Sequence, residues 1–329
     1  MLPSTSAEER STDNARAYEL YLKGRYVWNK RTEASIRKSI DYFQQAATTA
    51  PAYALPYAGL ADAYAALTSY SDIAPNDAFP QAKEAAANAL RLDEALPEAH
   101  TALGFVREAF DWQWAEAERE YQRALALDPS YAVGHHRYGM FLCAIGRREE
   151  GIAQVEQAHR LDSTSMIINA DQGLAYYLGR HYEQATEQLR NAVDMEPAFA
   201  RSRVYLAYAY VQQRNFDAAI AEASKATELS GGRAGAILAY AYAAAGRKSE
   251  SHSVIASIVD QRAARFTQVL AIASAYVALG EADEAFEWLE KGYRDRAYLA
   301  RLSADPAFDP IRDDPRFRDL LKRLNLPAR

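Results

Sequence analysis

At 329 residues, with 49% apolar and 25% charged side chains, the chain has the composition of a folded protein and too much apolar surface for a disordered one. Its 44 acidic and 38 basic residues leave a formal net charge of -6 with no dense Lys/Arg stripe, which argues against direct binding of nucleic acid by this segment. A single cysteine, Cys143, excludes an internal disulfide and a thiolate metal cage and fits a reducing, cytoplasmic compartment. The polar start MLPSTSAEERSTDN lacks the apolar core of a secretory signal, and residues 1–12 read as a flexible segment.

From residue 13 onward helical units follow one another. The first, from about Asp13 to Pro51, carries Leu22 and Gly24 on one helix and Phe43 and Ala46 on the next, with a lengthened turn around Asn29 to Ala34. The second has Tyr57, Leu60, Ala61 and Tyr64, then a polar insertion from Thr68 to Phe79, then Ala82, Ala86, Ala89 and Leu90. Leu103, Gly104, Trp114, Ala117, Tyr121 and Ala124 mark the third, which closes at Asp128-Pro129. The middle units are the most regular: Ala124, Ala158, Ala192 and Ala226 recur every 34 residues, and Gly139, Gly173 and Ala207 keep the same step on a second register. Two looser units follow around Tyr242 and Tyr276, again 34 apart, and the apolar run Ala234 to Gly246, well short of the ~20 residues that span a bilayer, reads as a buried helix. The tail changes character. Asp305-Pro306, Asp309-Pro310 and Asp314-Pro315 each set a capping carboxylate before a proline, and Phe317, Leu320, Leu321 and Leu324 then share one helical face.

A 34-residue period with small residues at fixed positions is the signature of the tetratricopeptide repeat (TPR), in which two helices cross closely in each unit. The expected fold is an all-α, right-handed TPR superhelix of about eight helix-turn-helix repeats. The array is placed at residues 13–296, with a DP-rich tail and capping helix at 297–329. The words AYELYLKGRYVWNKRT, YALPYAGLADAYAAL, DWQWAEAEREYQRAL, DEAFEWLEKGY and DPAFDPIRDDPRF further resemble the TPR regions of bacterial multidomain signalling proteins. In that group the array follows a winged-helix, adenylate-cyclase-type or serine/threonine-kinase domain. The resemblance implies a sensory or interaction half of a regulator and no catalysis.

Sharper chemistry has weak support. His135 and His136 are adjacent, so they point about 100° apart and lack the i, i+4 spacing of a metal site. Glu116, Glu118, Glu149 and Glu150 sit beside arginines on periodic helices and read as solvated faces. Cys143 reads as a small buried hydrophobe, Trp112 and Trp114 as packing residues at a turn. No phosphate loop, metalloprotease motif or nucleophile elbow occurs, so no enzyme activity, cofactor or metal is expected.

In a TPR array the first helix of each unit lines the concave surface, and the residue after the Gly/Ala site projects into it. Here that residue is Asp62, Phe105, Met140, Leu174, Tyr208, Tyr240 and Ser274. The run Phe105, Met140, Leu174, Tyr208 and Tyr240 predicts an apolar and aromatic groove for a peptide or partner domain, with His136 and Arg201 adding local polarity. It departs from the lysine/asparagine/arginine clamp of TPR adaptors that grip carboxylate termini. The expected function is a non-catalytic protein-protein interaction scaffold in bacterial signalling or transcription control, and the alternative is a small-molecule-sensing module that controls an effector.

Overall fold

The computed structural model describes residues 7–259 and 268–326. Its α-helices, in order, are α1 (Ala7–Trp28), α2 (Glu33–Thr49), α3 (Leu55–Tyr70), α4 (Pro75–Leu92), α5 (Pro97–Val106), α6 (Trp114–Leu127), α7 (Ala132–Ala144), α8 (Arg148–Leu161) and α9 (Met166–Gly179). They continue as α10 (Tyr182–Met195), α11 (Ala200–Gln212), α12 (Phe216–Leu229), α13 (Gly235–Ala244), α14 (Lys248–Val259), α15 (Val269–Leu279), α16 (Ala282–Arg294) and α17 (Pro315–Arg323). A π-helical turn, Arg107–Asp111, extends α5, and two 3-10 turns, Ala300–Ser303 and Pro306–Ile311, lie between α16 and α17. No helix among the described residues is long and apolar enough to cross a membrane.

The helices form two compact units, Met1–Asp111 with Ala115–Pro129, and Trp112–Trp114 with Ser130–Arg329. Within each, successive helices pack as hairpins, and each odd-numbered helix also meets the next odd-numbered one. The odd-numbered helices are therefore the inner layer and the even-numbered ones the outer layer of a solenoid.

The repeated small residues mark where the layers touch. Ala124, Ala158, Ala192 and Ala226 are all buried, and so is Ala207. A Cβ at Gly139 would stand 2.7 Å from the Gly151 carbonyl oxygen and 2.6 Å from Val155 Cγ2, so α7 and α8 meet backbone to backbone. Gly173 lies equally hard against Leu189 of α10, and in the first unit Gly24 and Gly59 close on the two sides of the Phe43 ring. The turn after each inner helix of the second unit needs a residue in the left-handed region. Gly146, Gly246 and Gly280 fill that position at φ 83°, 75° and 82°, whereas Arg180 and Arg214 fill it at 69° and 58°.

Three local readings differ from the structure. Residues 7–12 are helical, part of α1, while residues 1–6 of the expected flexible segment lie outside the described residues. The polar stretch from Thr68 to Phe79 is mostly helix, leaving a four-residue connection, Ser71 to Ala74, between α3 and α4, because Pro75 starts α4 and Ser71 closes α3. Of the three Asp-Pro pairs, Asp305 caps the second 3-10 turn by accepting from Ala307 N at 3.0 Å and Asp314 caps α17 by accepting from Arg316 N at 2.8 Å. Asp309 starts no helix. It lies inside the 3-10 turn, and its carboxylate is engaged elsewhere.

Candidate binding surface on the inner helix layer

In the second unit the inner layer is formed by α7, α9, α11, α13 and α15, and the chain's own tail lies across it. Tyr177 at the end of α9, Tyr208 of α11 and Tyr240 of α13 form a ladder of rings with centroids 5.6 Å and 5.2 Å apart. Onto this ladder the tail sets Ala304, Asp305 and Ala307, all buried. Tyr177 OH donates to Asp305 Oδ1 at 2.7 Å. Arg301, also on the tail, places its guanidinium 5.3 Å above the Tyr208 ring and 3.3 Å from Asp305 Oδ2. The Ser303 hydroxyl donates to the Ala144 carbonyl at the end of α7 at 3.1 Å.

The outer edge of the strap is ionic. Arg180, in the left-handed turn after α9, donates to both oxygens of Asp309 at 2.6 and 2.8 Å, a bidentate pair. Arg312 adds a bond to Asp309 Oδ1 at 2.6 Å and turns back to the Ser303 and Asp305 carbonyls at 2.5 and 3.2 Å. Further on, Trp114 Nε1 donates to the Leu324 carbonyl at 2.8 Å, and Trp112, at φ 56°, stacks on Tyr293 with 5.0 Å between centroids. The last stretch, α17, buries Phe317, Leu320 and Leu321 in a cluster with Phe286 and Leu289 of α16.

Charge placement follows from these contacts. Burial, and then the neighbouring Asp305 carboxylate, push the phenols of Tyr177 and Tyr240 well above their ordinary range, so both stay neutral, Tyr177 donating to Asp305 and Tyr240 accepting from Gln212 Nε2. Burial alone would weaken the Arg301 cation, but Asp305 and the surrounding tyrosines more than offset it and its pKa rises. Burial also opposes ionisation of Asp309, yet the hydrogen bonds from Arg180 and Arg312 hold it below the usual carboxylate range.

The predicted groove residues divide between places. Phe105 lies in the first unit, where its ring faces Phe79 of α4 at 6.2 Å. Asp62, on the same register, is also in the first unit and is paired with Arg25 at 3.0 Å. Leu174, Tyr208 and Tyr240 are at most 4% exposed and share one cluster with Ala304 and Ala307, so in this state the chain itself covers them. Met140 is half-buried at the edge of that cluster. His136 and Arg201 converge on Asp171 of α9, at 2.8 Å from His136 Nε2 and 3.9 Å from the Arg201 guanidinium. Against the cost of complete burial, the His136 hydrogen bond and the Arg201 charge lower the pKa of Asp171. Sequence reasoning missed Tyr177, Arg180 and Asp171. Only Arg180 carried a local signal, an arginine where three sister turns have glycine.

No family model matches the chain. Among curated proteins it is similar to the transcriptional regulator HilA of Salmonella paratyphi A, 27% identical over 145 residues, which cover 44% of this chain and 26% of that protein. HilA of Salmonella typhimurium is 26% identical over the same length. The chain thus spans about a quarter of the curated relatives it matches. Among solved structures it is similar to the APC/C hetero-tetramer Cut9-Hcn1, with TM-score 0.63 and 13% identity over 93% of this chain and 55% of that one. Human IFIT1, solved as a dimer with m7Gppp-AAAA, gives TM-score 0.55 and 16% identity over 79% of this chain and 68% of its own.

Proposed function

The chain is an all-α solenoid of the TPR type, and we propose from this fold that it is a non-catalytic scaffold that holds another protein in the cytoplasm. In this reading it is the regulatory or sensory part of a bacterial signalling or transcription-control system, a role supported by the partial likeness to HilA. Its partner is a polypeptide segment laid on the inner layer, where Met140, Leu174, Tyr208 and Tyr240 recur, with His136 and Arg201 at one border and Phe105 serving the first unit. The observation that carries the reading is the tail itself: the inner layer already holds a polypeptide segment through side-chain bonds from Tyr177 and Arg180. A surface of aromatic rings with a few fixed donors is what peptide recognition in a groove requires.

The test is photo-crosslinking in cells, with a benzophenone amino acid placed at Met140 or, as a control, at exposed Glu187 on the outer helix α10. A discrete polypeptide captured from Met140 and not from Glu187 is the expected result. Equal capture at both positions, or none at Met140, removes the reading.

A further inference from the structure

The tail specifies what the surface recognises. Two aspartates four residues apart, Asp305 and Asp309, are the groups that the inner layer engages by name: Tyr177 takes the first and Arg180 the second. Between them and around them the strap is apolar and small where it faces the ladder, Ala304 and Ala307. Prolines 306 and 310 hold the backbone in the 3-10 turn that aims both carboxylates at one surface. The two groups on the receiving side lie three residues apart in one repeat, at the end of α9 and in the turn that follows it.

Arg180 is the informative member. At φ 69° it occupies a conformation that favours glycine, as Arg214 does at 58°, while Gly146, Gly246 and Gly280 occupy the other three corresponding turns. There the Arg180 side chain makes a bidentate ion pair with Asp309 of the tail. The strap shares its apolar seat with the cap beyond it, since Leu302, Phe308 and Ile311 lie in one cluster with Phe317, Leu320 and Leu321 of α17. Its bonds to α7, to α9 and to the turn after α9 are polar, from Ser303, Asp305 and Asp309.

Building on the scaffold reading above, we infer that the inner layer of the second unit is a receptor for acidic segments of the form Asp-Pro-x-x-Asp-Pro, and that residues 301–313 are its resident, displaceable copy. The partner is a protein that presents the same pair of carboxylates, four residues apart in a proline-braced turn. Because the resident copy is tethered, it competes at an effective concentration of about millimolar order, so a partner gains access only by exceeding that or by arriving when the strap is loosened.

The experiment uses the full chain and a fluorescein-labelled peptide of residues 301–313, RLSADPAFDPIRD, read by fluorescence anisotropy. Asp305→Asn with Asp309→Asn loosens the strap while leaving the receiving side intact, and asparagine still caps the 3-10 turn. This double variant should bind the probe at least tenfold more tightly than the unmodified chain. Adding Arg180→Gly should reverse at least tenfold of the gain. Glycine suits that turn, so the reversal cannot be assigned to a broken backbone. A probe with both aspartates replaced by asparagine should not bind. Equal affinity of the double variant and the unmodified chain, or equal binding of the two probes, overturns the inference. Should the double variant fail to fold by circular dichroism, Asp309→Asn alone, whose carboxylate is 37% exposed at the rim, gives the same comparison. Crosslinking at Met140 without any change in probe binding would remove the strap and leave the scaffold standing. Tighter probe binding without crosslinking would do the opposite.

Discussion

Phe317→Ala tests whether α17 holds the end of the solenoid. The ring is 1% exposed, lies 6.4 Å from Phe308 of the tail and shares a cluster with Phe286 and Leu289 of α16. Truncating a buried phenylalanine costs about 3 to 5 kcal/mol, the transfer of the ring plus the cavity it leaves. In a solenoid each repeat packs on its neighbours, and here the tail adds contacts to α7 and α9, so that loss falls on the last hairpin and the tail rather than on the whole chain. At about 1.4 kcal/mol per decade, opening of α16 and α17 should become about two to four decades more frequent. The assay is native-state hydrogen exchange read by mass spectrometry, comparing peptides from 282–294 and 315–323 with peptides from α2 and α3 of the first unit. Protection should fall in the first two and stay unchanged in the last. An equal fall in α2 and α3, or an unchanged α16, would refute the reasoning.

Gly139→Ala puts a methyl group 2.7 Å from the Gly151 carbonyl and should destabilise the second unit by about 1 to 3 kcal/mol through forced separation of α7 and α8, seen as a lowered urea midpoint; an unchanged midpoint would mean that the crossing is looser than described. Cys143 is fully buried, and burial together with nearby Glu149 pushes its thiol up to about 12, so it should resist a thiol-specific chromogenic reagent at pH 8 until denaturant is added; fast native labelling would contradict its placement. For His100, burial disfavours the cation, but Glu120 at 2.6 Å and the Glu94 carbonyl prevail and raise its pKa. A raised pKa means a stabilising contribution that is complete below the ordinary histidine value of about 6.5 and is lost as pH rises through the higher folded value. The melting-temperature gap between the unmodified chain and His100→Gln should therefore be larger at pH 6 than at pH 9; a gap independent of pH would show that the Glu120 bond does not depend on the proton.

Which parts of this molecule could be read in advance follows from how far each contact reaches along the chain. Ala124, Ala158, Ala192 and Ala226 announce the hairpins because each packs against residues of its own or an adjacent repeat, and such contacts repeat with the sequence. The same logic marked Leu174, Tyr208 and Tyr240 as inner-layer residues. It could not say what lies on them. Tyr177 to Asp305 spans 128 positions, Arg180 to Asp309 spans 129, and Ser303 to Ala144 spans 159, and none of these has a counterpart in a neighbouring repeat. Asp309 shows the difficulty in one residue. Its Asp-Pro context reads as a helix start by local rules, yet the arginine at the end of α9 binds its carboxylate, and only the course of the tail over the inner layer brings the two together. Periodic sequence thus shows which face of a solenoid can receive a ligand, and aperiodic sequence decides whether that face is open. If the tail is a resident copy of the ligand, substitutions between Ala300 and Arg312 should change binding of the labelled tail peptide more than substitutions on the outer helices.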